Sequence, residues 1–267
     1  MKRSKERIDI LIVKKGLIES REKAKRNIMA GLVFVNNERV DKPGTKVYED
    51  SDIYIKGKAI PYVSRGGLKL EKALKEFDVH VQDKIALDIG ASTGGFTDCM
   101  LQNEAKKVYA IDVGYGQLDW KIRNDPRVVV MEKTNVRYTT EEDIEDKANF
   151  VSIDVSFISL KLILPVAKKL TTDDVDIVAL IKPQFEAGRE KVGKKGVVRD
   201  KSVHIEVIEN IMEFCSNNDL NIVQLTFSPI KGAEGNIEYL AHIKKGKMDT
   251  DNMKEYIRLI VDKSHDF

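Results

Sequence analysis

Two lysines and two carboxylates are spaced so that a parallel α/β sheet would gather them in one place. Asp154 follows the apolar run Phe150 to Ile153, Lys182 follows Val175 to Ile181, Glu238 lies on the last predicted strand, Ile237 to Ile243, and Lys69 lies in a helical pattern ahead of the first strand of the sheet. Residues that follow adjacent parallel strands stand side by side at the ligand end of such a sheet. Two ammonium groups and two carboxylates in one cleft shift one another's proton affinities through charge and desolvation. That is apparatus for activating a weakly acidic alcohol. Lys182 is the candidate for the hydroxyl, its proton affinity depressed by burial and by Lys69, and Asp154 and Glu238 would hold the lysines. Either lysine could instead stabilise a developing alkoxide by charge alone, and the sequence leaves both roles open.

A second group of residues describes a cofactor. In Ile85-Ala-Leu-Asp-Ile-Gly-Ala-Ser-Thr-Gly-Gly-Phe-Thr97 a buried strand breaks into a glycine-rich turn that opens a helix. Gly90, Gly94 and Gly95 permit a tight turn and close backbone approach. The next strand, Lys107 to Ile111, ends in Asp112, whose carboxylate could take both ribose hydroxyls. Ser92 occupies the place where a dinucleotide fold needs its second glycine, and the phosphate-binding lysine of a P-loop is absent. A ligand with a carboxylate, an ammonium and a nucleoside satisfies what remains, and S-adenosylmethionine is the economical choice. Asp88 would meet its ammonium side, the N–H groups of the turn through Gly90, Ala91, Ser92, Thr93, Gly94, Gly95 and Phe96 its carboxylate, and Asp112 its ribose.

The elements that must position these residues are legible as an alternation. After a helix expected to be capped by Ser64, strands are predicted to Ile89, to Ile111, at Val128 to Met131, Phe150 to Ile153, Val175 to Ile181, Asn221 to Phe227 and Ile237 to Ile243. Helices fall from Gly94, over Leu160 to Lys169 and over Val203 to Ser216. The fold class is therefore α/β, a mainly parallel Rossmann-like sheet closed by an antiparallel hairpin near Gly232 and Gly235. Ahead of it, residues 1–58 read as a small α+β domain with two short helices, one ending at Gly16 and one running from a Ser20 cap to Gly31, and short strands. Residues 59–63 form a connector containing Pro61, and 64–267 the large domain.

The 267 residues suffice for one large domain and one small one. A charged fraction of 33% and the lack of any apolar run near the roughly 18 residues of a membrane span exclude an integral membrane protein. With no export signal evident and two cysteines far apart, a cytoplasmic location is expected, with neither disulfide nor metal site. The net charge of +2 conceals an asymmetry: residues 1–60 carry 15 Lys and Arg against 9 Asp and Glu, the rest 30 against 34. A basic module on a near-neutral catalytic body suits a polyanionic substrate.

Longer motifs carry a resemblance. Arg7-Ile-Asp9, Gly16-Leu-Ile-Glu-Ser-Arg21 and Gly31-Leu-Val-Phe-Val-Asn36 resemble an S4 RNA-binding domain. The order Lys69, Asp154, Lys182, Glu238 resembles the K-D-K-E tetrad of FtsJ-type ribose 2′-O-methyltransferases. Tyr62-Val-Ser-Arg-Gly-Gly-Leu-Lys-Leu70, Asp154-Val-Ser-Phe-Ile-Ser159, Ile181-Lys-Pro-Gln-Phe-Glu186 and Gly196-Val-Val-Arg-Asp200 are similar to segments of the TlyA family, which joins the two domains. The resemblance spans nearly the whole chain and implies S-adenosylmethionine-dependent 2′-O-methylation of cytidine in ribosomal RNA within ribosomal subunits. It departs at Tyr62, where a tryptophan is common. Arg7, Arg21, Lys25, Lys42, Arg65, Lys191 and Lys194 are the candidate RNA contacts, the last two in a glycine- and lysine-rich segment, Arg189 to Lys201, expected to close over RNA.

Four rivals are weaker. A base amino-methyltransferase would place two prolines where Val155-Ser156 stand, and a carbon-5 pyrimidine methyltransferase needs a cysteine there. An RNA-binding assembly factor with a vestigial catalytic domain would not need an intact tetrad. Some TlyA members are labelled haemolysins, but no lytic amphipathic segment is visible.

Overall fold

A computed structural model describes residues 4–56, 60–246 and 253–266. The chain divides into two compact units, Met1–Arg65 and Gly66–Phe267. The expected end of the small domain at 58 and the first connector residue, Ala59, lie outside the described residues.

The small unit runs β1 (Lys5–Arg7), α1 (Ile8–Lys14), α2 (Arg21–Met29), β2 (Val33–Val35), β3 (Glu38–Val40), β4 (Lys46–Tyr48) and β5 (Ile53–Ile55). Ser20 caps α2 by accepting from the Lys23 N–H, and Gly16 and Gly31 follow the two helices with φ of +69° and +70°. Asn36 and Asn37 both take positive φ, which makes the tight primed turn that twists β2 onto β3. β2 is the centre of a β3-β2-β5 sheet, and β1 pairs antiparallel with β4. Strand β1 takes in Glu6 and Arg7, the first two residues of a helix expected over residues 6 to 15. The Ile8 and Asp9 N–H groups donate to the Thr45 and Pro43 carbonyls, so the chain before them pairs along β4. Ile8, Ile12, Ile28 and Val33 fill the core of this unit.

The large unit runs α3 (Gly67–Phe77), β6 (Ile85–Ile89), α4 (Gly95–Gln102), β7 (Lys107–Ile111), α5 (Trp120–Arg123), β8 (Val128–Met131), β9 (Ala148–Ile153), α6 (Leu164–Lys169), β10 (Thr171–Ile181), α7 (Pro183–Glu186), α8 (Lys201–Asn217), β11 (Leu220–Phe227), β12 (Tyr239–Lys245) and α9 (Met253–His265). Its sheet has the order β11-β12-β10-β9-β6-β7-β8. β8, β7, β6, β9 and β10 are parallel, and β12 lies antiparallel between β10 and β11. This is the expected closing hairpin, with its first strand at the sheet edge. The order reverses between β6 and β9, and a crevice opens at the carboxyl ends of strands that flank such a reversal. Gly90 follows β6 and Asp154 follows β9, so the cofactor turn and the tetrad both fall there.

Two expectations about elements need correction. Ser64 does not cap α3, because the N-cap is Gly66, two residues later, whose carbonyl accepts from the Lys69 N–H. Glu238 stands just before β12, not on it, with its carbonyl accepting from the Ser228 N–H. Helix α9 was not anticipated, although Ile257, Ile260, Val261 and Ser264 form a buried stripe at helical spacing.

Candidate active site

Lys69 from α3, Asp154 after β9, Lys182 after β10 and Glu238 before β12 converge. Lys69 Nζ lies 2.6 Å from Glu238 Oε2 and 3.4 Å from Asp154 Oδ2, and Lys182 Nζ lies 2.5 Å from Asp154 Oδ1. Lys69, Lys182 and Glu238 are buried. Burial works against the charge of Lys69, but Asp154 and Glu238 overcome it and raise the ammonium above its ordinary value. Burial likewise opposes ionisation of Asp154, yet Lys69 and Lys182 hold its carboxyl below the usual range. The expectation that Lys69 acts on Lys182 as a like-charge neighbour is corrected, because the Asp154 carboxylate stands between the two ammonium groups. A buried four-charge cluster is a poor investment in stability, since desolvation consumes most of the Coulomb gain, so its value lies in fixed geometry.

Beside this cluster is a cavity of about 420 Å³, within the range of small-molecule sites. Gly90, Ser92 and Asp112 line it, with an apolar floor that includes Ile89, Ile111, Val136 and Ile163, and Asp154 forms part of its wall. Gly90 has φ +87°, and a Cβ there would lie 2.5 Å from the Asp154 carbonyl oxygen, so only glycine lets β6 and β9 end this close together. The Asp112 carboxylate accepts from the Ser92 N–H at 2.7 Å and the Gly114 N–H at 2.7 Å, tying the glycine turn to the loop after β7.

The other predicted cofactor residues are placed differently. Asp88 is fully buried and does not line the cavity, which corrects its role as the ammonium contact. Its oxygens accept from Thr97 Oγ1 at 2.6 Å and Ser152 Oγ at 3.0 Å, and burial, partly offset by these two hydroxyls, lifts its carboxyl to about 6. It anchors α4 to the strands beneath. Ala91, Gly94, Gly95 and Phe96 are buried and Thr93 is exposed, none of them in the cavity wall. The Gly90 and Ala91 N–H groups donate to the Ile111 carbonyl, Gly94 donates to Ala91, and Ser92 donates to Asp112, so these four amides are not aimed at a ligand carboxylate.

Three contributors escaped the sequence reading. Ser156 Oγ accepts from Lys182 Nζ at 3.1 Å and lines the cavity. Gly232 must lack a side chain because the Glu238 carboxylate fills that space. Glu186 accepts from Ser159 Oγ at 2.6 Å and from the Leu160 N–H at 2.8 Å, and the Phe157 and Phe185 rings meet at 4.9 Å, so the loops carrying Asp154 and Lys182 are joined twice. The signal for Glu186 was its place four residues after Lys182.

Burial raises the Glu186 carboxyl above its ordinary 4.5, against the hydrogen bonds from Ser159 and Leu160. A raised acid favours folding below its unfolded value, and that advantage is lost as pH rises through the folded value. Glu186→Gln should therefore gain stability relative to the parent on going from below 4.5 to neutral pH, read from paired thermal melts. Its turnover should fall by up to about 10²-fold as the two loops lose register. Melts that track the parent's at every pH would contradict this.

In the small unit, Arg7 and Arg21 both pair with the buried Asp9, at 3.0 Å and 2.9 Å. The hydrogen bonds from Arg7 do most to hold the Asp9 carboxyl below its usual range, with Arg21 adding to them against burial. This fork sets two guanidinium groups in fixed relation. Lys25 pairs with Glu22, and Lys42 and Arg65 are exposed. Lys191 pairs with Glu206 while Lys194 is exposed. The segment Arg189 to Lys201 is not the free loop expected. Asn236 Nδ2 donates to the Gly196 carbonyl, the Val198 N–H donates to Asn236 Oδ1, and Val197 and Val198 are buried, so the lysines project from a pinned shelf.

Among the described residues no helix is long and apolar enough to cross a membrane. The sheet order, the cleft at its reversal and the Lys-Asp-Lys-Glu cluster define the large unit as a Rossmann-like methyltransferase. Family comparison agrees: an FtsJ-like methyltransferase domain matches residues 62–245 and an S4 domain matches residues 6–53. The Bacillus subtilis protein YqxC is 55% identical over 269 residues, covering 99% of this chain and 96% of its own. The Mycobacterium tuberculosis protein named 16S/23S rRNA (cytidine-2′-O)-methyltransferase TlyA is 41% identical over 239 residues, 89% of each chain. A solved Streptococcus thermophilus structure carrying a hemolysin label is 52% identical, with a TM-score of 0.79 over 98% of this chain and 96% of that one. The chain belongs to the FtsJ-like methyltransferase family, in the group that carries an S4 domain and includes TlyA.

Proposed function

We propose that this protein methylates the 2′-hydroxyl of a cytidine in ribosomal RNA with S-adenosylmethionine as donor, its S4 domain docking the RNA. The observation that carries this reading is the placement of Lys182 and Lys69 on either side of Asp154, backed by Glu238, at the edge of a cleft that ends at Asp112. The name of the M. tuberculosis relative supports the substrate class. The apolar floor suits an adenine ring and Asp112 suits a ribose diol, so the residues present fit the donor. When bound, the donor supplies an electrophilic methyl group.

The chain's own part is to bring up and polarise the hydroxyl. Lys182 Nζ, oriented by Asp154 Oδ1 and Ser156 Oγ, is the group placed to meet the 2′-oxygen. Asp154 is a poor proton acceptor because the two lysines hold it ionised. The resting geometry therefore favours Lys182 as a cation that stabilises negative charge developing on the 2′-oxygen, whose proton passes to solvent water, over Lys182 as the base that takes it. Lys69 and Glu238 keep Asp154 in place. The reading is tested by incubating the protein with labelled S-adenosylmethionine and separated ribosomal subunits, then mapping which ribose resists alkaline cleavage. Label in a base or in protein would refute it.

Asp112→Ala should weaken S-adenosylmethionine binding by about 1–3 kcal/mol, the cost of a lost charge-assisted contact. Calorimetry that returned the parental affinity would remove Asp112 from the site. The basic shelf is assigned to RNA on its charge: Lys191, Lys194, Lys195 and Arg199 surround an open depression. Changing Lys191, Lys194 and Lys195 to Ala should lower RNA affinity and flatten its salt dependence, with cofactor binding intact. A parental salt slope would assign the shelf to solvent.

A further inference from the structure

The outer face of the β3-β2-β5 sheet carries a feature that neither the methyltransferase chemistry nor the basic helices explain. Val33, Val35 and Ile53 turn inward to the core, which leaves Arg39, Phe34 and Tyr54 in one row on the other face, in register across the three strands. The Phe34 and Tyr54 rings are parallel within 6° at a centroid distance of 5.2 Å. Lys56, two residues beyond Tyr54, places its ammonium 6.0 Å from the Phe34 ring. Tyr54 is 37% exposed and sits on the edge strand β5, so the face of its ring turned away from Phe34 looks toward the open side of the sheet.

An aromatic pair across strands stabilises any sheet. Stability alone does not call for a cation at one end of the row and a second beside the Phe34 ring, or for the row itself to contain no carboxylate. We propose that this face binds an unpaired nucleotide of the RNA, its base extending the Phe34–Tyr54 stack on the open face of Tyr54 and its phosphates meeting Lys56 and Arg39. Stacking on sheet-borne aromatics flanked by cations accepts single-stranded RNA and has no use for a duplex, whose bases are already stacked. Charge complementarity names the occupant: residues 1–60 carry 15 Lys and Arg against 9 Asp and Glu. The inference deepens the RNA reading of the S4 domain and is independent of the catalytic one.

The test uses the full chain without cofactor, so that failure of the methyltransferase reading cannot be mistaken for failure of this one. Fluorescence anisotropy would compare an unstructured 12-nucleotide RNA with a 12-base-pair RNA duplex. Tyr54→Leu should weaken single-strand binding roughly tenfold, leave duplex binding unchanged, and be matched by parental behaviour in Tyr54→Phe, which keeps the ring. Equal single-strand affinity in Tyr54→Leu and the parent would overturn the proposal, as would equal losses on single strand and duplex. Should Tyr54→Leu lose its fold by circular dichroism, the decision passes to Arg39→Gln/Lys56→Gln. That variant should reduce the single-strand salt slope by about 1.4, from about 0.7 per phosphate contact, and an unchanged slope would overturn the proposal.

Discussion

Lys182→Ala is expected to reduce methyl transfer by about 10²–10⁴-fold, the range typical of a positioned group that acts on the proton or charge of a reacting oxygen. Cofactor affinity should stay near the parental value, because Lys182 does not line the cavity that ends at Asp112. The substitution also removes one of the two cations on Asp154. Lys69 remains 3.4 Å from the other oxygen, so the carboxylate keeps a partner and the fold should survive. The two readings of Lys182 separate in Lys182→Arg. A guanidinium cannot serve as a base but can stabilise negative charge, so substantial residual turnover in Arg with none in Ala would identify charge stabilisation. Parental turnover in Lys182→Ala, with subunits as substrate and single-turnover kinetics as readout, would remove the residue from the mechanism.

The sequence disclosed the sheet because its parallel strands read as short apolar runs, four of the five ended by a residue of marked chemistry: Gly90, Asp112, Asp154, Lys182. The tetrad was legible for the same reason, since strand ends of one parallel sheet share one edge. What could not be read was the direction of individual polar groups. Asp88 lies within β6 opposite Ala110, whereas Asp112 stands two residues further along, just past the end of β7, and that distance separates a carboxylate buried under α4 from one at the cavity. Nor does spacing reveal that the Gly90, Ala91 and Ser92 amides are consumed internally, because that depends on Ile111 and Asp112 approaching from another part of the sheet. Glycines mislead in the same way. Those of the segment Arg189 to Lys201 suggested mobility, whereas the φ of +72° at Gly196 serves a turn fastened by Asn236, forty residues away. Helix α9 was missed despite its apolar stripe, since attention to strand ends gives no weight to a final helix with no site residue.

Deletion of residues 1 to 58 should leave S-adenosylmethionine binding essentially intact and remove nearly all activity on ribosomal particles. The first half follows from where the residues lie: every side chain of the cavity and of the tetrad belongs to the unit Gly66–Phe267, which has its own core around Leu87, Val151, Ile177 and Ala241. The second half follows from charge. The remainder of the chain carries 30 Lys and Arg against 34 Asp and Glu, so without the basic unit the truncated protein meets a polyanion with no net attraction. Phosphate contacts dominate affinity for RNA, and each one lost removes a contribution that is largest at low salt. The loss should therefore appear as a raised KM with a flattened salt dependence, the ratio to the parent being largest at low salt, and as near-complete inactivity at physiological salt where residual affinity is weakest, with circular dichroism of the truncated protein unchanged apart from the missing residues. Two outcomes would count against the division of labour. Full activity on subunits at physiological salt would show that the amino-terminal unit does not read the substrate, and loss of cofactor binding in a folded truncation would show that the cofactor site depends on it.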